Sequence, residues 1–233
     1  MPVHIHPTAP LARRALLPGD PGRALALAQL VLSEPKMFNH NRGLWGYTGT
    51  AADGRPLTIQ STGMGGPSAA IVLEELCDLG LEVAIRVGTC GALHPDLALT
   101  DLVVAEAALA ADGTSRALGA DGRVAADAGL VAALREGAGA TRARAGLVAS
   151  SDLFYERDAE RADGWRRAGA LAVEMEAATL LRVGELREIR VGCLLTVTDV
   201  FAADGNRTRI DADALLKAGE DLGRVAARAL GAA

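Results

Sequence analysis

Three glycine-containing loops that directly follow short apolar runs are the first candidates for chemistry. They read PGDPGR at 18–23, TGMGGPS at 62–68 and GTCG at 88–91. Glycine lets backbone N–H groups approach a ligand closely, and the N-terminus of a following helix adds partial positive charge. One such loop is common in turns, but three in one chain favour an anion site. The chain has no GxxxxGK[ST] pattern, so it does not have the phosphate loop of a P-loop nucleotidase.

Three arginines lie in or near these loops. Arg86 interrupts the apolar run VAIRVG, where an unpaired charge is costly, so it needs either an interior acid or a ligand anion. Arg23 falls in the first turn of a predicted helix, where a cation is unfavourable unless an anion lies between it and the helix dipole. Arg42, in the tripeptide NRG, would be a surface arginine in most chains. The guanidinium fork matches phosphate oxygens bidentately, so the set suits phosphate.

Three acids are candidates for the remaining chemistry. Glu174 and Glu176 stand in VEMEAA at a predicted strand-to-helix junction, where they either complement the helix dipole or bind a ligand hydroxyl from a partly buried position. Asp199 ends the apolar run LLTVTD. At the C-terminal end of a strand it would face the ligand crevice of an α/β sheet, and otherwise it would cap the next turn. A protonated acid there would serve as a general acid.

Two other features are weaker candidates. His4 and His6 could chelate a metal, but nothing in the sequence supplies the remaining ligands, so no metal site is predicted. Phe154 and Tyr155 follow a predicted strand and would pack in the core or stack on a planar ligand. The three cysteines are widely spaced with no CxxC pair, which predicts a reduced, cytoplasmic setting.

The elements that must position these residues alternate between short apolar runs and amphipathic stretches, which predicts an α/β fold in a single domain over residues 1–233. A hairpin around Asp53-Gly54 makes the sheet mixed. The predicted strands are Ala15–Leu17, Leu44–Thr50, Leu57–Ser61, Val83–Val87, Leu102–Ala107, Arg144–Ala149, Leu171–Val173 and Val191–Val197. The predicted helices are Pro21–Leu32, Pro67–Leu79, Ala128–Glu136, Ala159–Arg167, Met175–Leu186 and Asp211–Leu230. Gly119–Ala126 and Ala202–Arg209 are predicted loops, the second at a place suited to a mobile lid.

Composition and charge exclude several classes of protein. Half of the residues are hydrophobic (50%), enough for a buried core, so general disorder is excluded. The formal charge of −5 is a poor match for nucleic acid. No apolar run approaches the roughly 18 residues of a membrane span, and the first residues lack the apolar segment of a secretion signal. We therefore expect neither nucleic acid nor membrane as a partner.

Taken together, these motifs resemble the nucleoside phosphorylase-I family, which comprises trimeric or hexameric purine nucleoside phosphorylases and uridine phosphorylases. The resemblance covers most of the chain to about Asp199, in the family's order, and is faint in the last thirty-odd residues. It is carried by PVHI, LLPGDPGRA, NRGLWGYTG, STGMGGPSAAIVLEEL, IRVGTCGAL, VASSDLFY, VEMEAATLL and LTVTD. It implies a central mixed sheet that is partly barrel-like and flanked by helices.

The resemblance also implies the members of the site. Phosphate would be bound by Gly19, Arg23, Arg86 and Thr89, with Arg42 reaching over from a neighbouring subunit. Ribose would be held by Met64, Met175 and Glu176, with the neighbour's His4 on the 5′-hydroxyl. The base would lie near Cys90, Gly91, Phe154, Val173 and Glu174, with Asp199 at purine N7. The assembly implied is a homohexamer built as a trimer of dimers.

The reaction implied is phosphorolysis of a purine ribo- or 2′-deoxyribonucleoside to the free base and the pentose 1-phosphate. Inorganic phosphate is a co-substrate, and no cofactor is expected. Asp199 would act as general acid and Glu176 would orient the ribose hydroxyls. The three arginines favour phosphorolysis over the related hydrolytic nucleosidases, which use water.

Alternatives stay open at this point. Ser150-Ser151-Asp152, Thr89 and the run EAATLL at 176–181 also look like uridine phosphorylase, although the Gln-x-Arg pair with which that enzyme binds uracil is missing after Phe154-Tyr155. A nucleoside-binding protein without activity would keep the pocket but would not need three arginines and Asp199. A Rossmann dehydrogenase is a minor alternative, because TGMGGPS has serine at the third glycine position of the dinucleotide fingerprint.

Overall fold

The computed structural model describes residues 2–139, 143–201 and 207–232, and within them eleven strands form one mixed sheet. The strands are β1 (Arg14–Leu17), β2 (Ser33–Asn39), β3 (Gly46–Thr50), β4 (Pro56–Gln60), β5 (Val83–Ala92), β6 (Leu102–Ala110), β7 (Arg123–Ala125), β8 (Ala143–Ser150), β9 (Ala172–Glu174), β10 (Arg190–Phe201) and β11 (Arg207–Arg209). The helices are α1 (Pro21–Val31), α2 (Gly66–Asp78), α3 (Gly113–Ala117), α4 (Ala128–Ala138), α5 (Ala159–Arg167), α6 (Ala177–Leu186) and α7 (Ala212–Ala232).

Part of the sheet closes on itself. Strand β10 pairs with β6, β6 with β8, β8 with β9 and β9 with β5, and β5 returns to β10. From β5 the sheet continues outward through β1, β4, β3 and β2. Short strands β7 and β11 add to β6 and β10. The predicted α/β class with a mixed, partly barrel-like sheet is confirmed.

The parallel strands β4, β1, β5 and β10 bring their carboxyl ends to one edge of the sheet. The loop at 18–23 follows β1, the loop at 62–68 follows β4, and Asp199 lies near the end of β10. Two backbone bonds join the first two loops, from Thr62 N to Pro18 O at 2.9 Å and from Gly63 N to Gly19 O at 3.0 Å. Segments far apart in the chain therefore meet at this edge.

Helices cover both faces of the sheet. Helix α1 begins with Pro21 in its first turn, and the Asp20 side chain caps it by accepting the Arg23 N–H at 2.6 Å. Helices α1, α4 and α7 pack with one apolar cluster, which includes Leu27, Leu130 and Leu222, and α2 and α6 pack with a second. No helix within the described residues is long and apolar enough to cross a membrane.

The structure adds short elements that the sequence did not predict. Strand β2 was missed because SEPKMFN lacks apolar alternation. It is an edge strand that, among the described strands, pairs only with β3, and it carries Pro35 and charged side chains. Strand β7 lies in the predicted loop Gly119–Ala126, and helix α3 was also missed. Strand β11 occupies the end of the predicted loop Ala202–Arg209, and residues 202–206 lie outside the described part of the chain. The hairpin at Asp53-Gly54 is confirmed, since β3 and β4 are antiparallel and Gly54 has a φ of 78°.

Helix α6, which begins directly after Glu176, packs closely against the sheet at Gly184. A Cβ added at Gly184 would lie 2.5 Å from Cγ2 and 3.2 Å from Cβ of Val191 in β10. Valine is stiff at χ1, so it cannot turn away from such a contact. The close approach therefore requires glycine at this position.

We expect Gly184→Ala to lower the free energy of unfolding by about 1–3 kcal/mol, since overpacking a core costs that much. Gly219→Ala in α7 is the matched control, because a Cβ there meets nothing within 4 Å. Its helix propensity alone should raise the stability by roughly 0.5–1 kcal/mol. Urea unfolding of both variants checks the pair, and an equal effect of the two would contradict the proposed packing.

Candidate active site

Arg86 lies at the centre of the site, buried in β5 with only 3% of its surface exposed. Its Nε donates to Glu174 Oε2 at 2.8 Å, and its Nη2 pairs with Glu176 Oε2 at 2.5 Å. Burial alone would lower the pKa of this arginine, but the two carboxylates outweigh it and raise the pKa above its ordinary value. Gly88 makes the arrangement possible, because a Cβ at that position would lie 2.7 Å from Arg86 Nη2.

Glu176 is the second acid that pairs with Arg86, and it also contacts the loop at 62–68. Its Oε1 accepts the backbone N–H of Gly65 at 2.5 Å, which ties the loop at 62–68 to the start of α6. Burial raises the pKa of Glu176, the Arg86 cation opposes that rise, and the neighbouring Glu174 charge adds to it. Glu176 and Arg86 therefore lie side by side, next to the loop at 62–68.

Arg23 adds a second positive charge beside Arg86. Burial lowers its pKa, Asp20 opposes that change, and the nearby Arg86 cation lowers the pKa further. Among the described residues its guanidinium has no hydrogen-bond or ion-pair partner in the protein. Gly19 approaches the next loop so closely that a Cβ would lie 3.1 Å from Gly63 O. Two convergent guanidinium groups beside glycine loops form a site suited to a dianion such as phosphate.

Asp199 lies near the end of β10, 4% exposed, next to a register shift between Val197 and Asp199. Such bulges re-aim side chains and often adjoin active sites. Its Oδ2 accepts from Thr198 Oγ1 at 2.8 Å, and its Oδ1 accepts from Arg207 Nε at 2.8 Å and from Arg209 Nη1 at 3.3 Å. Neither arginine is among the site residues predicted from the sequence. They reach Asp199 because β11 pairs antiparallel with the end of β10.

Aromatic side chains line the space beside Asp199. Gly91 is in register with both Asp199 and Val173, and a Cβ at Gly91 would lie 3.2 Å from the Phe201 ring and 3.5 Å from Val173 Cγ1. Phe154 is about half exposed at 49%, and the Arg207 guanidinium lies 4.7 Å above its ring centroid. Phe201 is a wall of this space that the sequence analysis missed, because a lone phenylalanine after an acid carries no distinguishing pattern.

The other predicted ligand contacts border the same edge of the sheet. Met64, in the loop at 62–68, is 85% exposed, while Met175 and Thr89 are partly buried. Cys90 is buried, its Sγ donates to Thr196 O at 3.6 Å, and burial raises its pKa well above the ordinary value. This residue is therefore a neutral thiol that packs, rather than a nucleophile.

A family comparison shows what kind of protein this is. The model described as Phosphorylase superfamily matches residues 13–231. The chain belongs to the phosphorylase superfamily. It is 39% identical over 206 residues to a DeoD-type purine nucleoside phosphorylase of Geobacillus kaustophilus, which covers 85% of this chain and 86% of that protein.

Two other relatives differ in the substrate that their names give. The chain is 38% identical over 204 residues to a guanosine phosphorylase of Halorubrum lacusprofundi, covering 85% of this chain and 83% of that protein. It is 36% identical over 208 residues to a uridine phosphorylase of Treponema pallidum, covering 83% and 78%. The expected family is therefore confirmed, and the relatives include both base classes.

His4 and Arg42 of this phosphorylase lie in a second region, around Glu75 of α2. Glu75 in α2 accepts the backbone N–H groups of Val3, His4 and Ile5 and pairs with His4 Nδ1 at 2.7 Å. Burial of Glu75 raises its pKa, but these hydrogen bonds outweigh burial and lower the pKa to about 2. Asn41 joins the two regions by donating to His4 O at 2.8 Å. Arg42 is exposed, with a φ of 56° and no partner among the described residues.

One cavity lies at the opposite edge of the sheet. It has a volume of about 630 Å³ and is lined by the first residues of parallel strands, including Arg14, Pro56, Val83 and Arg190. None of the predicted site residues lines it. A smaller cavity of about 270 Å³ between α1 and α7 does include Arg23. Within the described residues, no cluster of three or more histidines, cysteines or acids could hold a metal.

Proposed function

We propose that this protein catalyses phosphorolysis of purine ribo- or 2′-deoxyribonucleosides to the free base and the pentose 1-phosphate. The observation that carries the proposal is the convergence of Arg23 and Arg86 beside Glu176, at the sheet edge where the buried Asp199 lies near the end of β10. This arrangement offers an anion site, a ribose acceptor and an acid together. All three relatives described above are named as nucleoside phosphorylases, which supports the same reaction.

In the proposed reaction a phosphate oxygen attacks C1′ of the nucleoside while the bond from C1′ to the base nitrogen breaks. The electron pair of that bond moves onto the base, and a proton from Asp199 neutralises it at purine N7. Arg23 and Arg86 hold phosphate, with Gly19 and Thr89 as further contacts, and the bound phosphate places negative charge beside the cationic sugar of the transition state. Glu176 accepts hydrogen bonds from the ribose hydroxyls.

The arginines on β11 supply the remaining part of the mechanism. Arg207 is hydrogen-bonded to Asp199 Oδ1, so it is placed to stabilise the carboxylate that forms when the proton leaves. The same guanidinium lies over Phe154, which holds it beside the proposed base pocket of Gly91, Val173, Phe154 and Phe201. We propose that phosphate is a co-substrate and that the enzyme needs no cofactor or metal.

Uridine phosphorolysis is the second candidate, favoured by the 36% identity to the Treponema pallidum enzyme. The buried acid at Asp199 favours purines, since a purine offers N7 as proton acceptor. A binding protein without activity is a weaker candidate, because it needs neither Asp199 nor its two arginines.

We expect base release from inosine, guanosine, adenosine or methylthioadenosine only when inorganic phosphate is present, with uridine inert. Ultraviolet absorbance or chromatography of each nucleoside, with and without phosphate, measures this directly. Equal release without phosphate would overturn phosphorolysis. Phosphate-dependent cleavage of uridine instead would keep the phosphate site and replace the proposed base assignment.

We expect Asp199→Asn to lower kcat for purine nucleosides by about 100-fold or more, because an amide cannot donate an acidic proton to N7. The KM of the nucleoside should change little. Asp163→Asn is the control, since Asp163 is exposed on α5 and pairs only with Arg166 among the described residues. A variant at Asp199 with unimpaired kcat would remove this residue from the acid role.

We propose further that the active site is shared between subunits of a homohexamer built from dimers. His4 is fixed by Glu75, and Arg42 is exposed beside it without a partner of its own among the described residues. Val3 and Ile71 expose apolar surface around the same region, 70% and 39% respectively, which favours a subunit contact there. His4 would then reach the 5′-hydroxyl and Arg42 the phosphate of the neighbouring site.

A shared site predicts complementation between two defective subunits. Arg42→Ala and Asp199→Asn homo-oligomers should each be nearly inactive, but a mixed dimer keeps one intact site. Random reassembly of equal amounts should therefore restore about a quarter of wild-type activity, as a two-fold symmetric interface requires. Recovery no greater than the sum of the two variants would contradict a shared site.

We also propose a cytoplasmic location. Cys77, Cys90 and Cys193 are all free thiols, as expected for a protein kept in a reducing compartment.

A further inference from the structure

Glu174 is the most completely bonded charged side chain of the site. Its side chain is 0% exposed. Both oxygens accept from Ala177 N, at 3.0 and 2.9 Å, and Oε2 also accepts from Glu176 N at 2.8 Å and from Arg86 Nε at 2.8 Å. Ser150 Oγ donates to Oε1 as well. A carboxylate has about four acceptor positions, so these donors leave none for a ligand.

The base contact expected for Glu174 is therefore not what its geometry offers. The carboxylate faces protein donors, whereas Gly91, Val173 and Phe201 form the wall beside Asp199. A charged group without a ligand contact can still act on the site through Arg86, the cation that it touches.

We propose that Glu174 is a positioning residue that sets the direction of the Arg86 guanidinium toward phosphate. Glu174 accepts a hydrogen bond from Nε, and Glu176 pairs with Nη2, so the positions of two of the three guanidinium nitrogens are fixed. The neighbouring Cys193 thiol is only a weak hydrogen-bond acceptor for Arg86. Among the described residues Nη1 has no oxygen acceptor, so we assign this nitrogen to a phosphate oxygen. Because a guanidinium is planar, fixing two nitrogens fixes the third.

The contacts of Glu174 also explain how the fold keeps the Arg86 guanidinium in this orientation. Ser150 ends β8, Arg86 lies in β5, and the amides of Glu176 and Ala177 begin α6. Ser150 Oγ accepts the Ala178 N–H at 2.8 Å, which adds a second link between β8 and α6. One buried carboxylate thus joins three elements at the point where the phosphate arginine and the ribose acid must keep their spacing.

The inference rests on the proposed phosphorolysis, so the experiment measures phosphate binding separately from turnover. We expect Glu174→Gln to raise both the Kd of inorganic phosphate, measured by calorimetry, and the phosphate KM by about tenfold, the loss of one hydrogen bond to a charged group. The nucleoside KM should change by less than about twofold. Glu185→Gln, an exposed acid on α6, is the matched control.

A double-mutant cycle tests whether Glu174 acts through Arg86. In an Arg86→Lys background, Glu174→Gln should change the phosphate Kd by less than about twofold, because the guanidinium that it positions is gone. Equal effects in both backgrounds would overturn the proposal, and so would an equal rise of phosphate and nucleoside KM in the single variant. Both of those results would indicate a merely structural role.

Two further outcomes keep the test decisive. If Glu174→Gln does not fold, Ser150→Ala takes its place, with an expected rise of about two- to threefold in the phosphate Kd; an unchanged Kd would overturn the proposal. If the wild-type protein binds phosphate but releases no base, the proposed function fails, while the calorimetry still decides the role of Glu174.

Discussion

The ion pairs of the buried Arg86 are the constraint on which the rest of the site depends. A cation with 3% exposure in the middle of β5 is tolerable only with acceptors around it, and Glu174 and Glu176 supply them. Arg23 adds a second cation beside Arg86. One buried cluster therefore contains both of the arginines proposed to bind phosphate and the acid proposed to bind ribose.

The topology of the sheet brings segments that are far apart in the chain together at this site. The carboxyl ends of β1, β4, β5 and β10 share an edge, and backbone bonds join the loops after β1 and β4. Closure of the ring through β9 then brings Val173 into register with Gly91, beside Asp199. The residues proposed to bind phosphate, ribose and base therefore share one edge of the sheet.

Asp199, near the end of β10, is positioned by a separate set of contacts. A register shift lies next to Asp199, and β11 returns along β10 so that Arg207 and Arg209 reach its carboxylate. The contact of Arg207 with Phe154 links this acid to the loop after β8. Arg207 therefore contacts both the carboxylate of Asp199 and the ring of Phe154.

The sequence by itself determined the α/β class and the elements with strong periodicity, and it singled out the arginines and acids proposed here for an anion site. It could do so because glycine loops after strands, a charge inside an apolar run and acids at an element junction each have local physical meaning. The tertiary structure alone decided which acid touches which arginine, that Glu174 is fully occupied by protein donors, and that Phe201, Arg207 and Arg209 join Asp199. Those contacts form between segments far apart in the chain or within strands as short as β11, whose pairing depends on the neighbouring strand rather than on any local pattern.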